Sequence, residues 1–105
     1  MVRVFVNEGD RHEGMPMHEW IVLKARETGA EAAAAFRGLA GFGERGRVCR
    51  ASATRLIPRN PVVVELIGRR EKLEVLLRSL DGVIKGGVSV AWEQDLQIFR
   101  WKRAT

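Results

Sequence analysis

The sequence predicts an α+β domain in which strand, helix and strand are followed, after an extended arm, by strand, helix and strand. Three observations predict it. VRVFV at 2–6 alternates, with Val2, Val4 and Val6 on one side and Arg3 and Phe5 on the other, the period of a half-buried strand. PVVVELI at 61–67 is a near-continuous apolar run, as expected of a central strand covered on at least one face. Two further stretches carry apolar residues at helical spacing, Met17, Trp20, Ile21 and Ala25 in one and Leu73, Leu76, Leu77, Leu80 and Ile84 in the other.

Taken in order, the elements justify themselves locally. NEGDRHEGM, after the first strand, is polar and punctuated by glycine, and reads as a loop. Pro16 suits the first turn of a helix, and Gly29 can end that helix in a left-handed conformation. AEAAAAF at 30–36 sets propensity against position: its alanines favour helix, yet a helix here would begin at the Gly29 stop and run into the glycines after it. We read it as a strand of small residues packed under a helix, with Phe36 inside. RVCRASATRLI at 47–57 alternates loosely and reads as an extended arm. Pro61 stands at the first position of its strand, where proline is tolerated. VSVAW and LQIFRW supply one or two closing strands.

This order is the split β-α-β pattern of ferredoxin-like domains. The expectation is a βαββαβ sandwich with a long loop or arm, about 38–60, between strands 2 and 3 and a short extra C-terminal strand. At 105 residues the chain has room for one core, so 1–105 is read as a single domain. A domain this short buries only about two-thirds of the surface its unfolded chain exposes, and partner subunits would help it. The net charge of +5 points to an anionic partner such as a nucleotide, a nucleic acid or an acidic surface. A single cysteine excludes an internal disulfide. No apolar run approaches the roughly 20 residues of a bilayer span, and no signal peptide opens the chain, so a cytoplasmic protein without membrane insertion is expected.

The chemistry concentrates in GLAGFGERGR at 38–47, where four glycines surround Phe42 and Arg45 and Arg47 follow. Glycines let a backbone approach a ligand closely and turn successive N–H groups into an anion-holding nest, and arginine forks match phosphate oxygens. The segment lacks the terminal Gly-Lys-Ser/Thr of a P-loop, and a glycine-rich surface loop without a ligand fits the same residues. GRREK at 68–72 puts Arg69 and Arg70 at a helix start, where cations oppose the dipole unless an anion or carboxylate compensates. IKGGV at 84–88 offers Lys85 beside the pair Gly86 and Gly87, and FRWKR adds basic residues near the C-terminus.

AGFGERGR resembles the start of the mobile T-loop of P-II signalling proteins. The VRVFV opening, Gly14 and Pro16 before the first helix, and RGLAGFG at 37–43 are similar, more narrowly, to the P-II-like family known as domain of unknown function 190. That resemblance implies a ferredoxin-like homotrimer that binds an adenine nucleotide (ATP, ADP, AMP or cyclic AMP) in clefts between subunits and controls a partner protein. A membrane channel is one client it suggests, since members of that family are often encoded beside a fluoride exporter. Carried over by position, Gly41, Phe42 and Gly43 would form the T-loop base against the nucleotide, with Arg45 beside them. Gly86 and Gly87, preceded by Lys85, would match the loop that wraps the phosphates. Arg100 and Lys102, two apart and hence on one face of a strand, would match the basic pair that reaches the phosphates. Arg45 replaces the glutamine of magnesium and 2-oxoglutarate binding, so the resemblance does not extend to 2-oxoglutarate sensing. Val88 replaces the lysine after the phosphate-loop glycines. The chain has no tyrosine, so a T-loop tyrosine cannot be uridylylated.

A single-stranded RNA-binding domain is the alternative that shares the fold order. GFG overlaps its third-strand signature, but Glu44 stands where a stacking aromatic belongs. Phe99 and Trp101 interleaved with Arg100 and Lys102 keep that reading in play. No catalytic set stands out. His12 and His18 are six apart and share no helical face, Cys49 lacks a partner base, and Ser52 and Ser79 lie in no nucleophile motif. Trp20 is expected in the core on the first helix and Trp92 on a sheet or subunit face. Phe42 either anchors the loop base or contacts a nucleobase.

Overall fold

The structure, a computed structural model, describes residues 1–41, 49–50, 60–84, 88–91 and 101. Its elements are β1 (Val2–Asn7), β2 (Arg11–His12), β3 (Met15–Pro16), α1 (Met17–Thr28), β4 (Ala32–Arg37), β5 (Ala40–Gly41), β6 (Cys49–Arg50), β7 (Pro61–Ile67), α2 (Arg70–Leu80) and β8 (Val88–Ala91). Among the described residues four strands form the main sheet in the order β4-β7-β1-β8, and every neighbouring pair is antiparallel. Counting only these four in chain order, the sheet runs 2-3-1-4, the ferredoxin-like arrangement. The LQIFRW segment proposed as a closing strand lies outside the described residues, save its last residue Trp101.

One face of the sheet makes the core. The register sets Val2 opposite Leu66, Val4 opposite Val64 and Val6 opposite Val62, and all six are buried. Met17, Ile21 and Ala25 of α1 and Leu73, Leu76 and Leu80 of α2 complete the same cluster. The spacing of four between Met17, Ile21 and Ala25, and of three and four across α2, puts each set on one helical stripe. Trp20 is only half-buried: it packs against the edge of the core and meets the His12 ring edge-on at 4.8 Å. Its neighbour Ile21 is the fully buried residue.

The helix ends follow the local chemistry. Pro16 immediately precedes α1, and Gly29 closes it at φ +92°. There the Gly29 N–H donates to the Arg26 carbonyl and the Ala30 N–H to the Ala25 carbonyl, the paired bonds of a Schellman ending. At the start of α2, Arg70 is offset by a carboxylate one turn on, its Nε lying 2.9 Å from Glu74 Oε1. Glu71 adds an acidic group to the first turn, where negative charge is favoured.

Two further expectations need correction. The stretch at 7–15 is not simply loop, because Asn7 ends β1 and β2 and β3 pair as a short hairpin. Its two-residue turn has Glu13 at φ +51° and Gly14 at φ +81°, as a type I′ turn demands. Glutamate is a poor residue for the left-handed region, so Glu13→Asn is expected to raise stability by about 0.5–1 kcal/mol, read as a thermal midpoint a few degrees higher. The exposed His12–Glu13 contact, 3.7 Å, offsets little of that gain.

The second correction concerns β4. The strand forms over the alanines as expected, but only Ala33 packs against the core; Ala32, Ala34 and Ala35 are exposed. Phe36, expected inside, is 56% exposed. The reason is topological. Among the described residues β4 is an edge strand, and Phe36 pairs with Val63, not with the inward Val62 or Val64, so its ring lies on the face away from the helices. That face carries a row Phe5–Val63–Phe36 across three strands, above Arg3–Glu65–Ala34.

Candidate functional site

The glycine-rich segment leaves β4 at the sheet end where β7 begins, and the chain there is held from several sides. The Gly38 N–H donates to the Pro61 carbonyl at 2.8 Å. Asn60, with no exposed surface, donates from Nδ2 to the Gly38 carbonyl at 2.7 Å. Its own carbonyl accepts the Glu8 N–H at 2.8 Å. The Glu8 carboxylate, largely buried, holds Arg37 Nε at 2.9 Å. The residues just before and just after segment 42–59 are therefore tied together and to the end of β1. Beyond Gly38, β5 pairs Ala40 with Arg50 and Gly41 with Cys49 of β6, carrying the pairing outward.

The glycines at this base have a reason within the chain itself. A Cβ on Gly38 would sit 3.1 Å from both the Pro61 ring and the Pro61 carbonyl oxygen, and one on Gly41 would sit 3.0 Å from the same ring. Gly41, proposed to approach a nucleotide, thus already makes a close approach to Pro61. Because the opposing atoms at Gly38 are backbone and a stiff ring, Gly38→Ala is expected to cost about 1–3 kcal/mol through overpacking. Urea unfolding measures that directly.

Electrostatics at the base are those of a buried, partly answered network. The Gly38 carbonyl can only accept, which fixes the Asn60 amide with Nδ2 toward it. Asn60 Oδ1 and Glu8 Oε2 are then buried acceptors without a donor among the described residues, positions suited to an N–H or O–H donor. Sequence reasoning missed Asn60, Glu8 and Pro61. The Asn-Pro pair at 60–61 is a turn signal that could have marked the return point, whereas nothing at Glu8 signals its pairing with Arg37 across the chain.

Of the residues proposed to bind nucleotide, the structure places Gly41 as described. Phe42, Gly43, Arg45, Lys85, Gly86, Gly87, Arg100 and Lys102 lie outside the described residues. His12 and His18 fall on β2 and α1 respectively. A lined depression lies elsewhere, on the helix side, between Met15, Trp20, Leu23 and the charged Glu13, Lys24 and Glu27. No described helix is long and apolar enough to cross a membrane.

A ferredoxin-like domain with one open sheet face, and a long segment braced at one sheet end, is the class these features define. The chain belongs to the DUF190 family, whose model, described as an uncharacterised ACR, matches residues 1–96. It is similar to a UPF0166 protein of Aquifex aeolicus, with 31% identity over 90 residues covering 86% of each chain. It is likewise similar to a UPF0166 protein of Methanocaldococcus jannaschii, with 31% identity over 85 residues covering 81% of this chain and 78% of that one.

Proposed function

We propose that this protein is a P-II-like regulator, a homotrimer that binds an adenine nucleotide at the interfaces between copies and controls a partner protein. In this reading it is a cytoplasmic binding protein without catalytic activity, and a membrane channel or transporter is one kind of client. The observation that carries the reading is the open sheet face. Phe5 and Val63 are only half-buried and Phe36 is exposed, so among the described residues this face of β4, β7 and β1 lacks the second layer that a sheet needs. Copies of the same chain supply that layer, and the base of segment 42–59 stands at the end of the same sheet. A nucleotide bound between copies would then be sensed by a segment whose two ends are held firmly at Gly38 and Asn60.

The RNA alternative draws on the same face, because Phe5 and Phe36 are aromatics on an exposed sheet. An RNA-binding sheet also needs cations for phosphate. Among the described residues the cation on this face is Arg3, and its Nε is held 3.0 Å from Glu65, which favours the assembly reading.

A thermal-shift panel with ATP, ADP, AMP, cyclic AMP and a short single-stranded RNA tests the choice. Saturation at 100 times Kd adds about 2.7 kcal/mol per site, a rise of several degrees. A rise with one adenine nucleotide and none with RNA is expected. A rise with RNA alone would replace the reading, and a flat response to all five would remove the nucleotide from it.

A further inference from the structure

We propose that the depression on the helix side takes a basic side chain, arginine or lysine, of a partner protein, with Trp20 as the wall beside its cation and Glu13 and Glu27 as its counter-charges. The proposal rests on the partner control proposed above and names a surface for it, apart from the glycine-rich segment.

Trp20, Leu23, Lys24 and Glu27 follow at spacings of three, four and seven along α1, so they share one stripe beside the buried Met17, Ile21 and Ala25. The β2–β3 hairpin brings Glu13 and Met15 against that stripe, and together the six enclose about 270 Å³. Much of the lining is apolar or soft: the indole, the Met15 thioether and the side chain of Leu23, which is 41% exposed. The indole is held in place from two sides. It packs against the edge of the core, and the His12 ring meets it at 82°. An aromatic ring attracts a cation brought within about 6 Å of its centre, and a ring already held loses little freedom when it does so.

Charge selects the sign of the occupant. Two carboxylates and one ammonium line the depression, in a chain whose net charge is +5. The ammonium is answered, since Lys24 Nζ lies 3.6 Å from Glu27 Oε2. Glu13 Oε1 lies 3.7 Å from His12 Nε2, beyond hydrogen-bond reach. Both carboxylates are exposed, at 70% for Glu13 and 71% for Glu27, and can meet an incoming cation. An acidic rim over an aromatic and aliphatic floor suits a long side chain that lays its stem on apolar surface and keeps its charged head at the edge. Shape selects a side chain over a free small molecule. The depression is open to solvent, whereas a small-molecule site covers most of its ligand. A side chain carried by a partner has its remaining surface covered by the partner itself. The helix side also lies opposite the sheet face on which copies are proposed to pack, so assembly leaves it accessible.

The test is NMR titration of the intact protein with the N-acetyl methylamides of arginine, lysine and citrulline. Saturable shifts of the Trp20 indole N–H and of the Glu13, Leu23 and Glu27 amides are expected with arginine and lysine. None is expected with citrulline, which has nearly the shape of arginine without its charge. Because the carboxylates are exposed, Glu13→Asn or Glu27→Gln alone should weaken binding about two- to fivefold. Glu13→Asn separates binding from folding, since it is expected to raise the thermal midpoint while lowering affinity. Equal shifts with citrulline, or full affinity in the Glu13→Asn, Glu27→Gln double variant, would overturn the proposal. The absence of saturable shifts at these residues with either cation would overturn it too. Nucleotide uptake without arginine binding would overturn this site alone. Arginine binding without nucleotide uptake would support the site while removing the nucleotide from the reading above.

Discussion

Leu66→Ala is expected to destabilise the protein by about 2–5 kcal/mol, the usual cost of truncating a fully buried leucine that leaves a cavity. Leu66 has no exposed surface and sits in the middle strand β7, flanked by Val2 of β1 on one side and Ala33 of β4 on the other. It lies on the helix face within the cluster that joins both helices to the sheet, so the surrounding groups have little freedom to close the gap. Against a typical total of about 5–15 kcal/mol, that loss lowers the thermal midpoint by roughly 10 °C or more. Leu39→Ala is the control. Leu39 is 85% exposed, and its truncation should stay within about 0.5 kcal/mol of wild type. A Leu66→Ala effect as small as that of Leu39→Ala would mean that β7 is not the centre of the core.

The second large effect concerns the ligand. Arg100→Ala combined with Lys102→Ala is expected to weaken adenine-nucleotide binding at least a hundredfold. The proposal gives these two cations the phosphates, and a charge-assisted hydrogen bond contributes about 1.5–3 kcal/mol, so losing two amounts to about 3–6 kcal/mol. Calorimetric titration of the double variant reads this as loss of a measurable isotherm, while its unfolding curve should match wild type. Unchanged affinity would take the phosphate role from this pair. The remaining basic residues of the proposed site, Arg45 and Lys85, would then be the next to replace.

Much of the fold was legible because the stop signals agree with the periodicities. Gly29 and Gly38 bracket the alanine run so tightly that a helix of useful length has no room, and position outweighed alanine's helix preference. VRVFV and PVVVELI both lie between two strands and differ on the open face, where β1 carries the exposed Arg3 while β7 keeps Val63, Glu65 and Ile67 half-covered. What failed was whatever depends on neighbours. Phe36 looks like a core residue by type, and only the strand order shows that it sits at an edge on the uncovered face. The hairpin of β2 and β3 has two residues per strand, too few for alternation to register, and its Glu-Gly turn departs from the usual Asn-Gly signal.

The candidate site was legible in a different degree. The glycines at 38 and 41 stood out from the sequence, but the reason proposed for them was a ligand. The structure adds Pro61 as the object of their close approach. Asn60 and Glu8 act through partners twenty or more residues away along the chain, Gly38 and Arg37, and no local pattern encodes such a meeting. The cations proposed for phosphate were read from residue type, spacing and family resemblance, and the binding experiments above address them one group at a time.

In the proposed reading, copies of this chain assemble and hold an adenine nucleotide between them. Native mass spectrometry of the intact protein with ATP, ADP, AMP and cyclic AMP in turn tests it most directly, since it counts copies and bound nucleotides in one spectrum. A trimer that takes up one nucleotide per interface is expected, with uptake lost in the Arg100 and Lys102 double variant. A single copy, or a trimer that takes up none of the four nucleotides, would contradict it.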